Sequence, residues 1–216
     1  MMPLQHPTGM GWIEVVTGCM FSGKTEELIR RLNRARFARQ RVTVFKPLID
    51  VRYAVGAIVS HAESELPCVP VAHASDILRL VGDTEVVGID EAQFFDLSLV
   101  AVANQLADDG RRVIIAGLDQ DYRGEPFEPM PQLMAVAEYV QKTLAVCMKC
   151  GAPADRSQRL VSRDSRVLLG AAEVYEARCR RCWRPDPVDP AQQALPLELE
   201  AAHAGDAGVD IDRPVG

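Results

Sequence analysis

Nowhere in the 216 residues does an uncharged apolar run approach the roughly 20 residues that a bilayer-spanning helix needs, which sets a membrane-spanning role aside. Positive charge is in short supply: 24 Lys and Arg stand against 30 Asp and Glu, and the net charge of −6 gives no general attraction for a nucleic-acid backbone. Residues 1–14 show no basic leader followed by an apolar core, so the expectation is a soluble, cytoplasmic chain that is not exported. Internal repeats are absent as well. Cysteines number six, and four of them fall in two C-x-x-C pairs, which in a reducing compartment reads as metal ligation and not as a disulfide framework. Of the other two, Cys68 reads as a small buried apolar residue.

What is present is an apolar content of 48%, enough for one sizeable core with a small second module beside it. Short β-branched runs at 12–17, 42–45, 85–89 and 113–118 alternate with helical stretches at 26–39, near 75–81 and at 94–109. That alternation predicts an α/β fold with a mainly parallel sheet and helices on both faces. Residues 139–146 read as one more strand, and the paired cysteines follow it. We therefore expect a main α/β domain over 1–138, a cysteine-bearing domain over 139–184, and a Pro- and Ala-rich flexible tail over 185–216. The helix at 26–39 begins with Glu26 and Glu27 and carries Arg30, Arg31, Arg34, Arg36 and Arg39 later. This order suits the helix dipole and reads as a solvated face or subunit contact.

The sharpest local signal is Gly18-Cys19-Met20-Phe21-Ser22-Gly23-Lys24-Thr25, which fits G-x-x-x-x-G-K-[ST] between an apolar strand and a helix. Glycines let the backbone curl so that successive N–H groups point at the β- and γ-phosphates of a nucleotide, and the helix that follows adds its positive end. Lys24 supplies a full charge, and the Thr25 hydroxyl is suited to the Mg²⁺ that bridges the phosphates. A second apolar strand ends in Asp90-Glu91, where such folds place a magnesium-side carboxylate, and Glu91 can accept a proton from an attacking hydroxyl. Capping of the helix near Phe94 is the competing reading of Asp90. The two acids alone do not choose between water and an alcohol as the attacking group.

Several segments together resemble the type II thymidine kinases, P-loop enzymes with a zinc-bearing lasso. The phosphate loop is similar to G-P-M-F-S-G-K-[ST], with Cys19 in place of the usual Pro, and Asp90-Glu91-Ala92-Gln93-Phe94-Phe95 is similar to D-E-[AG]-Q-F-F. Lys46-Pro47, Asp50-Val51-Arg52-Tyr53, Ser60-His61 and Gly117-Leu118-Asp119-Gln120-Asp121-Tyr122 resemble further blocks. So do Cys147-Met148-Lys149-Cys150-Gly151 and the segment from Val174 to Cys182.

The resemblance implies transfer of the γ-phosphate of ATP to the 5′-hydroxyl of thymidine, in pyrimidine salvage for DNA synthesis. It makes Glu91 the general base and adds Asp50, Arg52, Asp90 and Gln93 to the nucleotide-binding set. For the nucleoside it implies Met20, Phe94, Leu118 and Tyr122 as pocket walls and Tyr175 near the sugar. Ser157 stands where Thr is common, and the backbone of Arg166, Val167, Leu168, Leu169 and Gly170 would read the base edge. Ser60-His61 is equally a polar turn. dTTP as feedback inhibitor and a homotetramer are expected by the same analogy.

Cys147, Cys150, Cys179 and Cys182 give four thiolates, the set for a closed structural zinc site with no position left for an activated water. The 28 residues between the pairs suit a hairpin carrying a long lasso, pinned at its base by the metal. Two readings compete with the kinase. One is an ATPase whose zinc ribbon grips nucleic acid through Arg178, Arg180 and Arg181; the other is a non-catalytic nucleotide sensor.

Overall fold

The computed structural model describes residues 9–49, 57–59, 65–160 and 174–185, with the backbone alone at 57–59 and 65. Asp50, Arg52, Ser60, His61, Arg166, Val167, Leu168, Leu169, Gly170 and residues 186–216 lie outside the described residues. The described residues all belong to one compact unit, Met1–Asp186.

Six strands form the central sheet: β1 (Trp12–Thr17), β2 (Val42–Pro47), β5 (Val69–Val71), β6 (Val86–Ile89), β7 (Arg112–Gly117) and β8 (Tyr139–Lys142). Their order is β5-β2-β6-β7-β1-β8, and every neighbouring pair runs parallel. Two short antiparallel strands, β3 (Ala57–Val59) and β4 (Glu65–Pro67), stand apart from it. The predicted α/β architecture is present. The run read as one strand over 139–146 divides, with β8 joining the edge of the sheet and β9 (Ala145–Val146) leaving it to pair with β10 (Pro153–Ala154).

Strand periodicity deals the core to two faces. Ile13, Val15, Phe45, Val87, Ile89, Val113 and Ile115 meet α2 (Ala74–Leu80), α3 (Ser98–Asp108) and α4 (Met130–Val136) on one side. Val44, Val86, Ile114 and Ala116, one residue out of step, meet α1 (Lys24–Phe37) on the other, and Cys68 lies in that cluster. In α3 the buried positions Leu99, Val102, Ala103 and Leu106 follow i, i+3, i+4, i+7, the stripe of an amphipathic helix. Against α1 the sheet is indented: a Cβ on Gly88 would stand 2.8 Å from the Leu32 side chain, so glycine sets how closely helix and strand approach.

Beneath α1 the apolar pattern is broken by Glu14, which is buried. It accepts from Trp12 Nε1 at 2.8 Å, Arg112 Nε at 2.6 Å and Arg31 Nη1 at 2.6 Å, while Arg31 also holds Glu27 at 2.8 Å. Burial pushes the Glu14 carboxyl up, but its bonds to Arg112 and Trp12 and the charge of Arg31 outweigh this and hold it below its ordinary 4.5. Glu27, bonded first to Arg30 and then to Arg31, is brought down to about 2. Acids with depressed pKa contribute stability that is complete above the unfolded value near 4.5 and is lost as pH falls through the folded values. We expect the melting temperature to drop between pH 5 and pH 2. Glu14→Gln should cost about 3 kcal/mol at neutral pH and flatten part of that drop, because it leaves two half-buried guanidinium groups short of a partner. A pH profile of melting identical in slope to that of the unaltered chain would contradict this role.

Candidate active site

Ligand sites in parallel sheets form beyond the carboxyl ends of the strands, where the order of strands reverses. Here that point is β1, whose neighbours β7 and β8 are joined by a crossover past it. The turn from β1 into α1 carries residues 18–25, so the predicted phosphate loop is at the switch point. Glu26 and Glu27 occupy the first turn of α1, which starts two residues earlier than the composition suggests because the loop's Lys24 and Thr25 are already helical. Phe21 adopts φ 63°, a left-handed conformation uncommon for a side-chain-bearing residue, and marks the tight curl of the loop. Lys24 Nζ donates to the Cys19 carbonyl at 2.7 Å across it. Burial pushes the Lys24 ammonium below its ordinary value, against the opposing charges of Glu91, Cys19, Asp90 and Asp119.

β6 ends beside this loop and delivers the two acids. Thr25 Oγ1 lies 3.4 Å from Asp90 Oδ2, while Asp90 Oδ1 accepts the Glu91 N–H at 3.0 Å. Asp90 therefore faces the phosphate loop and does not cap α3; that task falls to Asp96, whose Oδ1 accepts the Ser98 N–H at 2.9 Å. A short 3₁₀ turn, Ala92–Phe94, separates the two. Glu91 itself sits at φ 51°, ψ 42°, a left-handed conformation that costs of order 1–3 kcal/mol and persists only where the surroundings enforce it.

Gln93 fixes the side chain of Glu91. Its Oε1 accepts the Leu118 N–H at 2.9 Å, which leaves its NH₂ group to donate to Glu91 Oε2 at 2.5 Å. The residue is buried, so its amide acts on Glu91 directly. Sequence reasoning placed Gln93 among the nucleotide contacts without this detail.

Of the residues assigned to the nucleoside pocket, Met20, Tyr122, Ser157 and Tyr175 meet at the cysteine hairpin, where β11 (Arg156–Arg159) pairs with β12 (Tyr175–Arg178). Met20 N–H donates to Ser157 Oγ at 3.0 Å, tying the phosphate loop to β11. Phe94 meets Phe127 edge to face at 6.4 Å. Tyr122 projects from a loop closed by Asp121, whose Oδ1 accepts the N–H groups of Arg123 at 2.9 Å and Glu125 at 3.1 Å.

Arg159 is the residue that sequence reasoning missed. It is 3% exposed, its guanidinium stacks 3.5 Å from the Tyr122 ring centre, and it donates to Tyr175 Oη at 3.2 Å. In R-S-Q-R it reads as one more surface arginine; only strand alternation from Ser157, on the same face, signals otherwise.

Cys147 and Cys150 follow β9, and Cys179 and Cys182 follow β12, in matching turns: Gly151 N–H bonds to the Cys147 carbonyl and Trp183 N–H to the Cys179 carbonyl, each at 2.9 Å. All four sulfurs lie within 4.8 Å of one another, and Cys150 Sγ is 3.6 Å from Cys179 Sγ. A tetrahedron with Zn–S bonds of about 2.3 Å has edges of about 3.8 Å, so the four are arranged to hold a metal such as zinc. Burial opposes ionisation of Cys147, but backbone N–H groups of Cys179, Lys149 and Cys150 overcome it and bring the thiol down to about 6. Cys179 is lowered chiefly by the N–H of Cys182, whereas Cys182, bonded to Cys150, is pushed up to about 11. A divalent cation would displace the protons that remain.

The thymidine kinase family pattern matches residues 11–183. A thymidine kinase of Rhodothermus sp. (strain ITI 518) is 63% identical over 201 residues, covering 93% of this chain and 94% of that protein. Those of Bdellovibrio bacteriovorus, at 58% identity over 82% of this chain and 87% of theirs, and of Bacteroides fragilis, at 54% over 84% and 91%, are similar along nearly the same extent.

Proposed function

This chain belongs to the thymidine kinase family, and from that premise we propose that it moves the γ-phosphate of ATP to the 5′-hydroxyl of thymidine through the residues assembled around Glu91. The observation that carries the reading is the side-by-side arrangement of Thr25, Asp90 and a conformationally constrained Glu91 at the mouth of the phosphate loop. Backbone N–H groups of residues 18–25, apart from that of Met20, which is bonded to Ser157, receive the phosphates, and Lys24 adds its charge on the transferring group. The Thr25 hydroxyl and Asp90 carboxylate are hard oxygen donors 3.4 Å apart, a pair that fits Mg²⁺ with the carboxylate acting through water. Mg²⁺ held by these two residues would neutralise charge on the phosphates. Glu91 takes the proton of the 5′-hydroxyl, with Gln93 holding its carboxylate in line.

Asp50 and Arg52 assist near the phosphates, and the backbone of 166–170 reads the pyrimidine, both by the family resemblance. Met20, Phe94, Leu118, Tyr122, Ser157 and Tyr175 surround the nucleoside. We assign the four cysteines to a structural Zn²⁺ that pins a lasso module over 139–184, beside the nucleotide-binding part over 1–138. Thymidine salvage in the cytoplasm, a homotetrameric assembly and inhibition by dTTP complete the proposal. Among the described residues, no helix is long and apolar enough to cross a membrane.

An ATPase that grips nucleic acid is the weaker reading, because the chain is acidic overall and two of the three arginines near the cysteines face acids: Arg178 pairs with Glu176 and Arg180 approaches Asp155 at 3.9 Å. The test is a panel of nucleosides with ATP and Mg²⁺, following ADP and nucleoside monophosphate together. One ADP per thymidine monophosphate, with negligible ADP in the absence of nucleoside, is expected. Equal ATP consumption with and without thymidine would sink it.

A further inference from the structure

Outside the residues already discussed, the phosphate loop is clasped by Thr143, in the connector between β8 and β9. Thr143 N–H donates to the Thr17 carbonyl at 2.8 Å, and Thr143 Oγ1 donates to that same carbonyl at 2.9 Å. Thr17 in turn donates from Oγ1 to the Gly117 carbonyl at 2.9 Å, so its backbone is anchored on β7 as well. Ser22 Oγ lies 2.9 Å from Thr143 Oγ1.

A hydroxyl has a single proton. Thr143 spends its proton on Thr17, so the Ser22–Thr143 bond must run from Ser22 to Thr143. The result is a directed chain, Ser22 to Thr143 to Thr17, in which the Ser22 hydroxyl points away from any phosphate and the loop offers its backbone N–H there instead. Gly18 is part of the same device. A Cβ at position 18 would stand 2.2 Å from the Thr143 carbonyl, 3.0 Å from its hydroxyl and 2.9 Å from Ser22 Oγ, so glycine is needed to admit the clasp. Beside it, Lys142 Nζ reaches Asp119 at 2.6 Å, spanning from the end of β8 to the end of β7 on the other side of β1.

We propose that Thr143 is a positioning residue for the phosphate loop: its hydroxyl orients Ser22 and fixes the curl of residues 18–22 that presents N–H groups to ATP. This rests on the reading of that loop as the ATP phosphate site. The residue touches neither substrate nor the reacting atoms; its effect passes through Ser22 and Thr17.

Thr143→Val keeps the shape and removes the hydroxyl, and Thr143→Ser keeps the hydroxyl. Titration with ATP in the absence of nucleoside should show affinity weakened about fivefold to tenfold in Thr143→Val, which removes both bonds of the hydroxyl, and restored to within twofold in Thr143→Ser. The KM for ATP should rise with it, whereas the KM for thymidine stays within twofold. In the Thr143→Val background Ser22→Ala should add nothing further to the loss, since its proton has no acceptor left to orient it. Equal shifts in both KM values, additive effects of the two substitutions, or Thr143→Val binding ATP as the unaltered chain does would each overturn the inference while leaving the loop's assignment intact. An unaltered chain that fails to bind ATP would overturn the assignment, and the inference with it.

Discussion

Glu91→Gln should lower turnover with ATP and thymidine by about a hundredfold to ten-thousandfold, the range for loss of a general base, with ATP affinity at pH 7 changed little. The substitution preserves size. The new amide can turn its carbonyl toward the Gln93 NH₂ group, so the 2.5 Å contact has a replacement and the left-handed turn keeps its support from the Asp90 carboxylate. What disappears is the capacity to take a proton. Glu91 is also the foremost charge opposing the depression of the Lys24 pKa by burial. Its neutralisation should push Lys24 further down, so the loss of ATP affinity with rising pH should set in at a lower pH in the variant than in the unaltered chain. Single-turnover assays and ATP titrations from pH 6 to pH 9 check both statements. Near-normal turnover in the variant would remove Glu91 from the chemistry.

Stripping the metal with a chelator, or changing Cys179 to Ser, should weaken nucleoside binding most and ATP binding as well. From the sequence, the cysteines read as the base of a lasso, which accounts for the larger effect on the nucleoside. The structure joins them to the phosphate loop: buried Cys19 shares an apolar cluster with Cys147, Ala154 and Cys179, and its Sγ lies 3.4 Å from the Ala154 carbonyl. Ser157, on the next strand, accepts the Met20 N–H. Losing the metal therefore loosens the wall against which residues 19 and 20 rest. Nucleoside affinity should fall at least tenfold, with a smaller loss for ATP, while circular dichroism of the sheet persists. ATP affinity unchanged after complete metal removal would show that the two parts are not coupled.

Motifs whose chemistry depends on close neighbours in the chain were legible. Residues 18–25, the Asp90-Glu91 pair and the two cysteine pairs are each drawn together by spacings of a few residues, and the hydrophobic period placed the strands that carry them. Less legible were roles set by contacts across long separations. Thr143 meets Ser22 across 121 residues, and Arg159 stacks on the ring of Tyr122, a loop residue far from it in the chain. The left-handed turn at Glu91 was hidden because nothing in a glutamate announces it; Asp90 and Gln93 impose it from either side. Asp90 as a helix cap was a reasonable local reading, displaced because a 3₁₀ turn intervenes and Asp96 does that work.

The all-parallel register of the sheet has a bearing on which substitutions can damage the reaction. Thr17 stands opposite Gly117, and Ile89 opposite Ile115, so β1 and β7 end level while β6 ends two residues lower and brings Asp90 in at that offset. A slide of β6 by one residue would carry Asp90 about 3.3 Å along the strand and turn it toward the opposite layer, out of reach of Thr25. Apolar side chains deep in the interior thus act as the ruler for the distance between hydroxyl and carboxylate. An Ile89 or Ile115 variant that never meets a nucleotide can still behave like a defect in phosphoryl transfer.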